Sequence, residues 1–150
     1  RSRSGTMARC SWAAATAPGE IGWTDFLGLA IWFLAIGGEW RADKQLQLYR
    51  SQSGNQGRVC RLGLWKFSRH PNYFFEWLHW TAYCLVAVGS EYWWVTLVTV
   101  IVMYVFLTRV TGIPWAETQA LRRRGEAYRQ YQRTTSQFFP WPSRTTRPLY

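Results

Sequence analysis

The side chains able to do chemistry crowd into residues 38–80, GEWRADKQLQLYRSQSGNQGRVCRLGLWKFSRHPNYFFEWLHW. Glu39 and Asp43 are four apart and Arg50 lies seven beyond Asp43, so on a helix the three share a face. SQSGNQG, residues 51–57, is turn chemistry. Pro71 suits the first position of a following helix, because its missing N–H would have no intrahelical partner there. That puts His70 at the N-cap. The start of such a helix offers N–H groups and the positive end of its dipole, and Arg69 stands just before it, which together make an anion site. Tyr73, Glu76, Trp77 and Trp80 then recur at i, i+3, i+4 and i+7 as one polar-aromatic stripe. A carboxylate such as Glu76 in an apolar helix is costly and is therefore a functional candidate. Its structural alternative is a hydrogen bond to His79, Tyr83 or a neighbouring helix.

Other chemistries lack their frames. No G-x-G-x-x-G follows a strand and no Walker A sequence is present. His70 and His79 lie outside any H-E-x-x-H, and Cys10, Cys60 and Cys84 make no C-x-x-C, so no metal site is expected. The same three cysteines exclude a disulfide scaffold. Nothing supports Ser-His-Asp catalysis. Asp25 reads as a cap or interfacial residue and Cys84 as small core filler. Arg122, Arg123 and Arg124 read as a patch for lipid headgroups.

The elements that must position these residues follow from how charge is distributed. The chain has 150 residues, one domain's worth, with a net charge of +10 and 11 Trp. So many aromatics exclude plain disorder. A basic chain suits nucleic acid or an anionic membrane surface. The charge is segregated: residues 39–73 carry seven Lys/Arg against two acids, and residues 109–150 carry eight against two. Residues 21–38 hold only Asp25, and residues 74–108 hold Glu76 and Glu91 with no Lys or Arg. Apolar blocks of near-span length alternate with basic ones, which a nucleic-acid binder rarely shows, so no nucleic-acid partner is expected. Blocks 21–38, 71–88 and 93–108 read as three membrane helices, with Trp23, Trp40, Tyr73, Trp93, Trp94 and Trp115 near their borders. The positive-inside rule puts both basic segments on the cytoplasmic side. The fold class expected is an all-α integral membrane bundle of about three spans with cytosolic amphipathic helices. Residues 1–20 read as a disordered leader, 21–142 as the membrane domain and 143–150 as a flexible tail.

Several motifs resemble a known family. Gly63-Leu64-Trp65, Ser68-Arg69-His70-Pro71-Asn72-Tyr73 and Glu76-Trp77 are similar to the C-terminal signature of the steroid 5-alpha-reductase superfamily, most closely its bacterial branch of integral-membrane proteins. Upstream, Ala42-Asp43-Lys44-Gln45-Leu46 with Arg50 resembles the lead-in helix. Downstream, Thr111-Gly112-Ile113-Pro114 with Glu117, then Tyr128-Arg129-Gln130-Tyr131, Thr134-Thr135-Ser136 and Phe139-Pro140, resemble the later segments. The resemblance runs from about Trp32 to Pro142 and not into residues 1–20.

The resemblance implies a membrane oxidoreductase that binds NADPH in a cytosol-facing pocket and reduces a conjugated C=C bond of a steroid, sterol or polyprenoid-like lipid. It implies a bacterial inner membrane location. Carried over residue by residue, Asp43, Arg69, Asn72, Tyr73, Tyr131 and Arg133 are cofactor contacts, and His70 and Glu76 shape the same pocket. Phosphates need arginines and a helix N-terminus, and amide and ribose groups need Asn, Asp and Tyr partners. Two departures stand out. Phe75 occupies a position that is usually Gly, where its ring would narrow the pocket or face lipid. The family's substrate-side residues come from preceding helices, so the chain resembles the cofactor half of such an enzyme, and no catalytic residue is assigned. Two alternatives are an S-adenosylmethionine-dependent methyltransferase of the isoprenylcysteine type, which shares an Arg-His-Pro-x-Tyr core, and a noncatalytic membrane protein that binds anionic lipid.

Overall fold

A computed structural model describes residues 21–143. The expected leader, and all but the first residue of the expected tail, lie outside the described residues. The described chain is helical, with no strand beyond one isolated bridge, Ser68 with Ser136. Its helices are α1 (Trp23–Ser51), α2 (Pro71–Val86), α3 (Trp93–Val105) and α4 (Gly112–Thr134). Two 3₁₀ turns, Ser53–Asn55 and Gly63–Lys66, lie between α1 and α2, and a π turn, Phe106–Val110, joins α3 to α4.

Local sequence accounts for most boundaries. Asp25 caps α1: its carboxylate accepts the Gly22 N–H at 2.8 Å, while the Asp25 N–H donates to the Gly22 carbonyl. α1 does not stop at the Gly37-Gly38 pair but runs on through Asp43 to Ser51. Pro71 opens α2 with His70 as N-cap. Gly125 breaks α4 from within, at φ +50 and ψ −122, a left-handed conformation that disfavours any side chain.

α1 packs along α2, and α2 along α3. The seam of α1 is made of small residues, with Thr24, Gly28, Ala35 and Ala42 buried. A Cβ on Gly28 would sit 2.8 Å from Val86 Cγ2 and 3.1 Å from the Ala82 carbonyl, so any larger residue would have to push α2 or its side chains aside. Large side chains on the same helix point outward: Phe26, Leu27, Leu29, Phe33, Leu34 and Ile36 are all exposed. Polar ties cross the seams. Trp32 Nε1 donates to His79 Nε2 at 3.0 Å, and Trp77 Nε1 to the Val100 carbonyl at 3.1 Å. Indole N–H only donates, so His79 Nε2 is unprotonated. The Tyr83 hydroxyl lies 2.8 Å from the same nitrogen.

Among the described residues, one helical run, Trp93–Thr134, is long and apolar enough to cross a membrane. Three such spans were expected. α2 has only 16 residues, short of the ~20 a bilayer core needs, and Asn72, Glu76 and His79 lower its apolarity. In α1, Asp25 and the Gly37-Gly38 pair dilute the apolar block, which then merges into a basic segment.

Gly38 also settles where Phe75 goes. Its missing side chain leaves room for the Phe75 ring, which any Cβ there would strike. The ring neither lines the cavity described below nor points away from the protein. Gly38→Ala is expected to cost about 1–3 kcal/mol through overpacking, against about 1 kcal/mol gained in helix propensity. In a Phe75→Ala background only the gain remains, so the same substitution should become stabilising. Thermal unfolding of the four variants in detergent tests this. Additive effects would mean that the two residues do not meet.

Candidate functional site

The N-terminus of α2 opens onto a cavity of about 510 Å³, within the ~300–1,000 Å³ typical of ligand sites. One wall is the second half of α1, with Asp43 and Arg50, which share a face as the spacing predicts. The segment from Arg58 to Trp65 and the start of α2 form another, and α4, from Trp115 to Tyr131, closes it.

Three side chains lock the α2 N-terminus in place. Tyr131 of α4 donates its hydroxyl to the Trp65 carbonyl and lies 3.2 Å from the Ser68 carbonyl. Trp65 Nε1 donates to the Ala42 carbonyl of α1 at 2.9 Å. The Ser68 hydroxyl donates to the Phe138 carbonyl at 2.8 Å and accepts the His70 N–H at 3.1 Å. His70 does not cap α2 with its ring. The ring stacks on Tyr73, with centroids 5.6 Å apart, and turns to Glu117.

Glu117 joins the two helices that matter most. One carboxylate oxygen lies 3.0 Å from Arg69 Nη2 and 3.3 Å from His70 Nε2. The other accepts Gln132 Nε2 at 2.8 Å. Burial raises the Glu117 carboxyl pKa, but the His70 hydrogen bond, the Arg69 charge and Gln132 outweigh it, and the net shift is downward. Burial, with Tyr128 beside it, pushes the Tyr131 hydroxyl well above its usual range, so it stays a donor. Burial likewise raises the Cys60 thiol, which argues against a reactive nucleophile there.

Six of the eight residues singled out from the sequence line this cavity: Asp43, Arg69, His70, Asn72, Tyr73 and Tyr131. Glu76 and Arg133 do not. Glu76 sits four residues into α2 from Asn72, away from the lining. Arg133 is exposed and pairs with Glu126 at 3.7 Å. The triple arginine divides unexpectedly. Arg122 and Arg123 are exposed and Arg124 is half-buried, and of the three Arg123 and Arg124 line the cavity. Arg58 joins them there, and nothing in its surroundings in sequence marks it.

Three buried side-chain atoms among the described residues have no hydrogen-bond partner: Arg69 Nε, Asn72 Oδ1 and Arg124 Nε. All three residues line this cavity. Unpaired buried polar groups are expensive, and a polar ligand or ordered water that reached them would remove that cost. Asn72 supplies an acceptor for amide or hydroxyl hydrogens, and the arginines supply donors for anionic oxygens.

A family model described as "Protein of unknown function (DUF1295)" matches residues 7–135. That span reaches upstream of Trp32 into the first 20 residues and stops before Phe139-Pro140, so it is wider at its start than the motif resemblance. No curated protein and no solved structure matches the chain. Because the match covers most of its length, the chain belongs to this family of proteins of unknown function, DUF1295.

Proposed function

We propose that the chain is a steroid 5-alpha-reductase-like membrane oxidoreductase, or its cofactor-binding part, that holds NADPH in this cavity. The supporting observation is that Asn72 and Arg69, each with a buried polar atom that has no partner (Oδ1 and Nε), line the cavity where the resemblance puts a dinucleotide. Bound there, NADPH would supply hydride for the C=C bond of a steroid, sterol or polyprenoid-like lipid. Arg69 would hold a phosphate beside the N–H groups of α2, and Glu117 would keep Arg69 aimed. Asn72 would accept hydrogen bonds from the carboxamide or a ribose. The Tyr73 ring, backed by His70, offers a flat face for a ring system.

The membrane reading extends beyond the single apolar run. Small residues line the α1 seam while large apolar ones face out, the reverse of a soluble core and the pattern of helices packed in lipid. In the most apolar stretch of Trp93–Thr134, 22% of residues are buried, too few for a soluble core helix. On this reading α1, the short α2 and α3 all enter the bilayer, the positive-inside rule would put both basic segments on the cytoplasmic face, and the resemblance implies a bacterial inner membrane.

NADPH titration of the purified protein in detergent tests the reading. Saturable binding is expected. Its absence, alongside binding of S-adenosylmethionine, would replace reduction with methyl transfer. Asn72→Ala and Tyr73→Phe should each weaken NADPH by about 2–10-fold, the worth of one hydrogen bond. Arg122→Ala, on the outer surface, should leave it unchanged. Equal losses from all three would indicate nonspecific charge attraction.

A further inference from the structure

We infer that Arg50, Arg123 and Arg124 form a second anion subsite in the cavity, built for a phosphate monoester and separate from the one at Arg69. The inference rests on the dinucleotide reading for its preferred ligand, the phosphate on the adenosine ribose that distinguishes NADPH from NADH. A phospholipid headgroup ending in a phosphate monoester carries the same chemistry and is the other source.

Position comes first. Arg50 lies seven residues beyond Asp43 on α1, and Arg123 lies six beyond Glu117 on α4. At 1.5 Å per residue the cluster sits on the order of 10 Å along both helices from the Asp43 and Arg69–Glu117 end. A dinucleotide with a ribose phosphate presents two anionic groups held apart by the ribose, and the unphosphorylated form presents one. Two separated basic groups in one cavity match the first.

The missing counter-charges come second. Where α4 has a carboxylate within reach, its arginines use it: Arg129 lies 3.5 Å and Arg133 3.7 Å from Glu126. Among the described residues, no carboxylate lies within 4.0 Å of Arg50, Arg123 or Arg124. Arg124 Nε is buried without any partner, although the residue lines the cavity. Burial, then the charge of Arg50, then that of Arg123, make Arg124 less basic than an ordinary arginine. Three like charges held together at a cavity wall, one of them partly desolvated, are stabilised by an anion. The planar guanidinium fork suits phosphate oxygens, and an arginine near the ribose is a general means of accepting that phosphate.

The test uses the full chain in phosphatidylcholine nanodiscs, with calorimetric titration of adenosine 2′,5′-bisphosphate and of 5′-AMP. The bisphosphate should bind at least tenfold more tightly. Arg124→Gln should reduce that ratio to within about twofold of one while leaving 5′-AMP affinity unchanged, which also shows that the variant is folded. Arg124→Lys should restore only part of the ratio, because it returns charge without the fork. In nanodiscs containing phosphatidic acid, competition that weakens bisphosphate binding in the wild type but not in Arg124→Gln would assign the subsite to a lipid headgroup. The inference is overturned if the bisphosphate ratio and the phosphatidic acid effect both persist in Arg124→Gln. Binding of 5′-AMP with no preference for the bisphosphate and no lipid effect also overturns it, while the dinucleotide reading stands. If neither nucleotide binds and phosphatidic acid has no effect, both fall.

Discussion

Replacing Glu117 with alanine is expected to destabilise the protein by about 3–5 kcal/mol, the usual cost of stranding a buried charge by removing its partner. Arg69 and His70 are both buried, and Glu117 is the carboxylate that meets them, at 3.0 and 3.3 Å. Losing it leaves the Arg69 guanidinium without a counter-charge, with Nε already unpartnered. It also cuts the link between the α2 N-terminus and α4 and releases Gln132. Glu117→Gln keeps the shape and one acceptor, so it should cost less than the alanine. The pH dependence follows from the lowered carboxyl pKa. A carboxylate more acidic in the folded state contributes stability above its unfolded value of about 4.3, and that contribution is lost as pH falls through the lower folded value. The wild type should therefore hold its melting temperature down to about pH 4 and lose it below. In Glu117→Gln this component of the acid loss should be missing. Melting temperatures of the three proteins across that range check both points. Equal stability of wild type and alanine variant would mean that this contact does not hold the helices together.

The residues around Glu117 show what the sequence makes legible and why it stops. Local rules located Pro71 at the start of α2 and the 51–57 turn and offered Asp25 as a cap or interfacial residue, since each depends on neighbours in the chain. The Asp43–Arg50 face followed from helical spacing alone. The contacts that build the site do not: Glu117 with Arg69, Tyr131 with Trp65 and Trp65 with Ala42 join residues 23 to 66 positions apart. Arg122, Arg123 and Arg124 are indistinguishable by type. Successive residues on a helix point about 100° apart, so neighbours in a run of arginines face different surroundings. Which of them enter the cavity depends on how α4 docks. The block read as residues 21–38 ends at the Gly37-Gly38 pair, yet α1 runs on to Ser51, and Gly38, without a side chain, receives the Phe75 ring of α2.

Tyr131 separates a contact with ligand from a support beneath it. It lines the cavity, but it is 2% exposed and its hydroxyl is directed to the Trp65 carbonyl. Its ring packs on Tyr128, with the Arg61 guanidinium 5.4 Å from its centroid. Tyr131→Ala should cost about 3–5 kcal/mol, as for other large buried aromatics. Tyr131→Phe preserves the packing and strands the carbonyls of Trp65 and Ser68, for about 1–3 kcal/mol. Because burial holds the Tyr131 hydroxyl above its usual range, its stabilisation is complete below about pH 10. It is lost as pH rises through the folded value, since the unfolded tyrosine ionises first. Tyr128, raised in the same way, should supply the rest of any alkaline loss. Tyr131→Phe should remove part of that loss and change NADPH affinity by less than about twofold, in contrast to Asn72→Ala. A large fall in affinity with unchanged melting would instead make Tyr131 a direct cofactor contact. The side chain would then have to give up its backbone acceptor when the nucleotide binds.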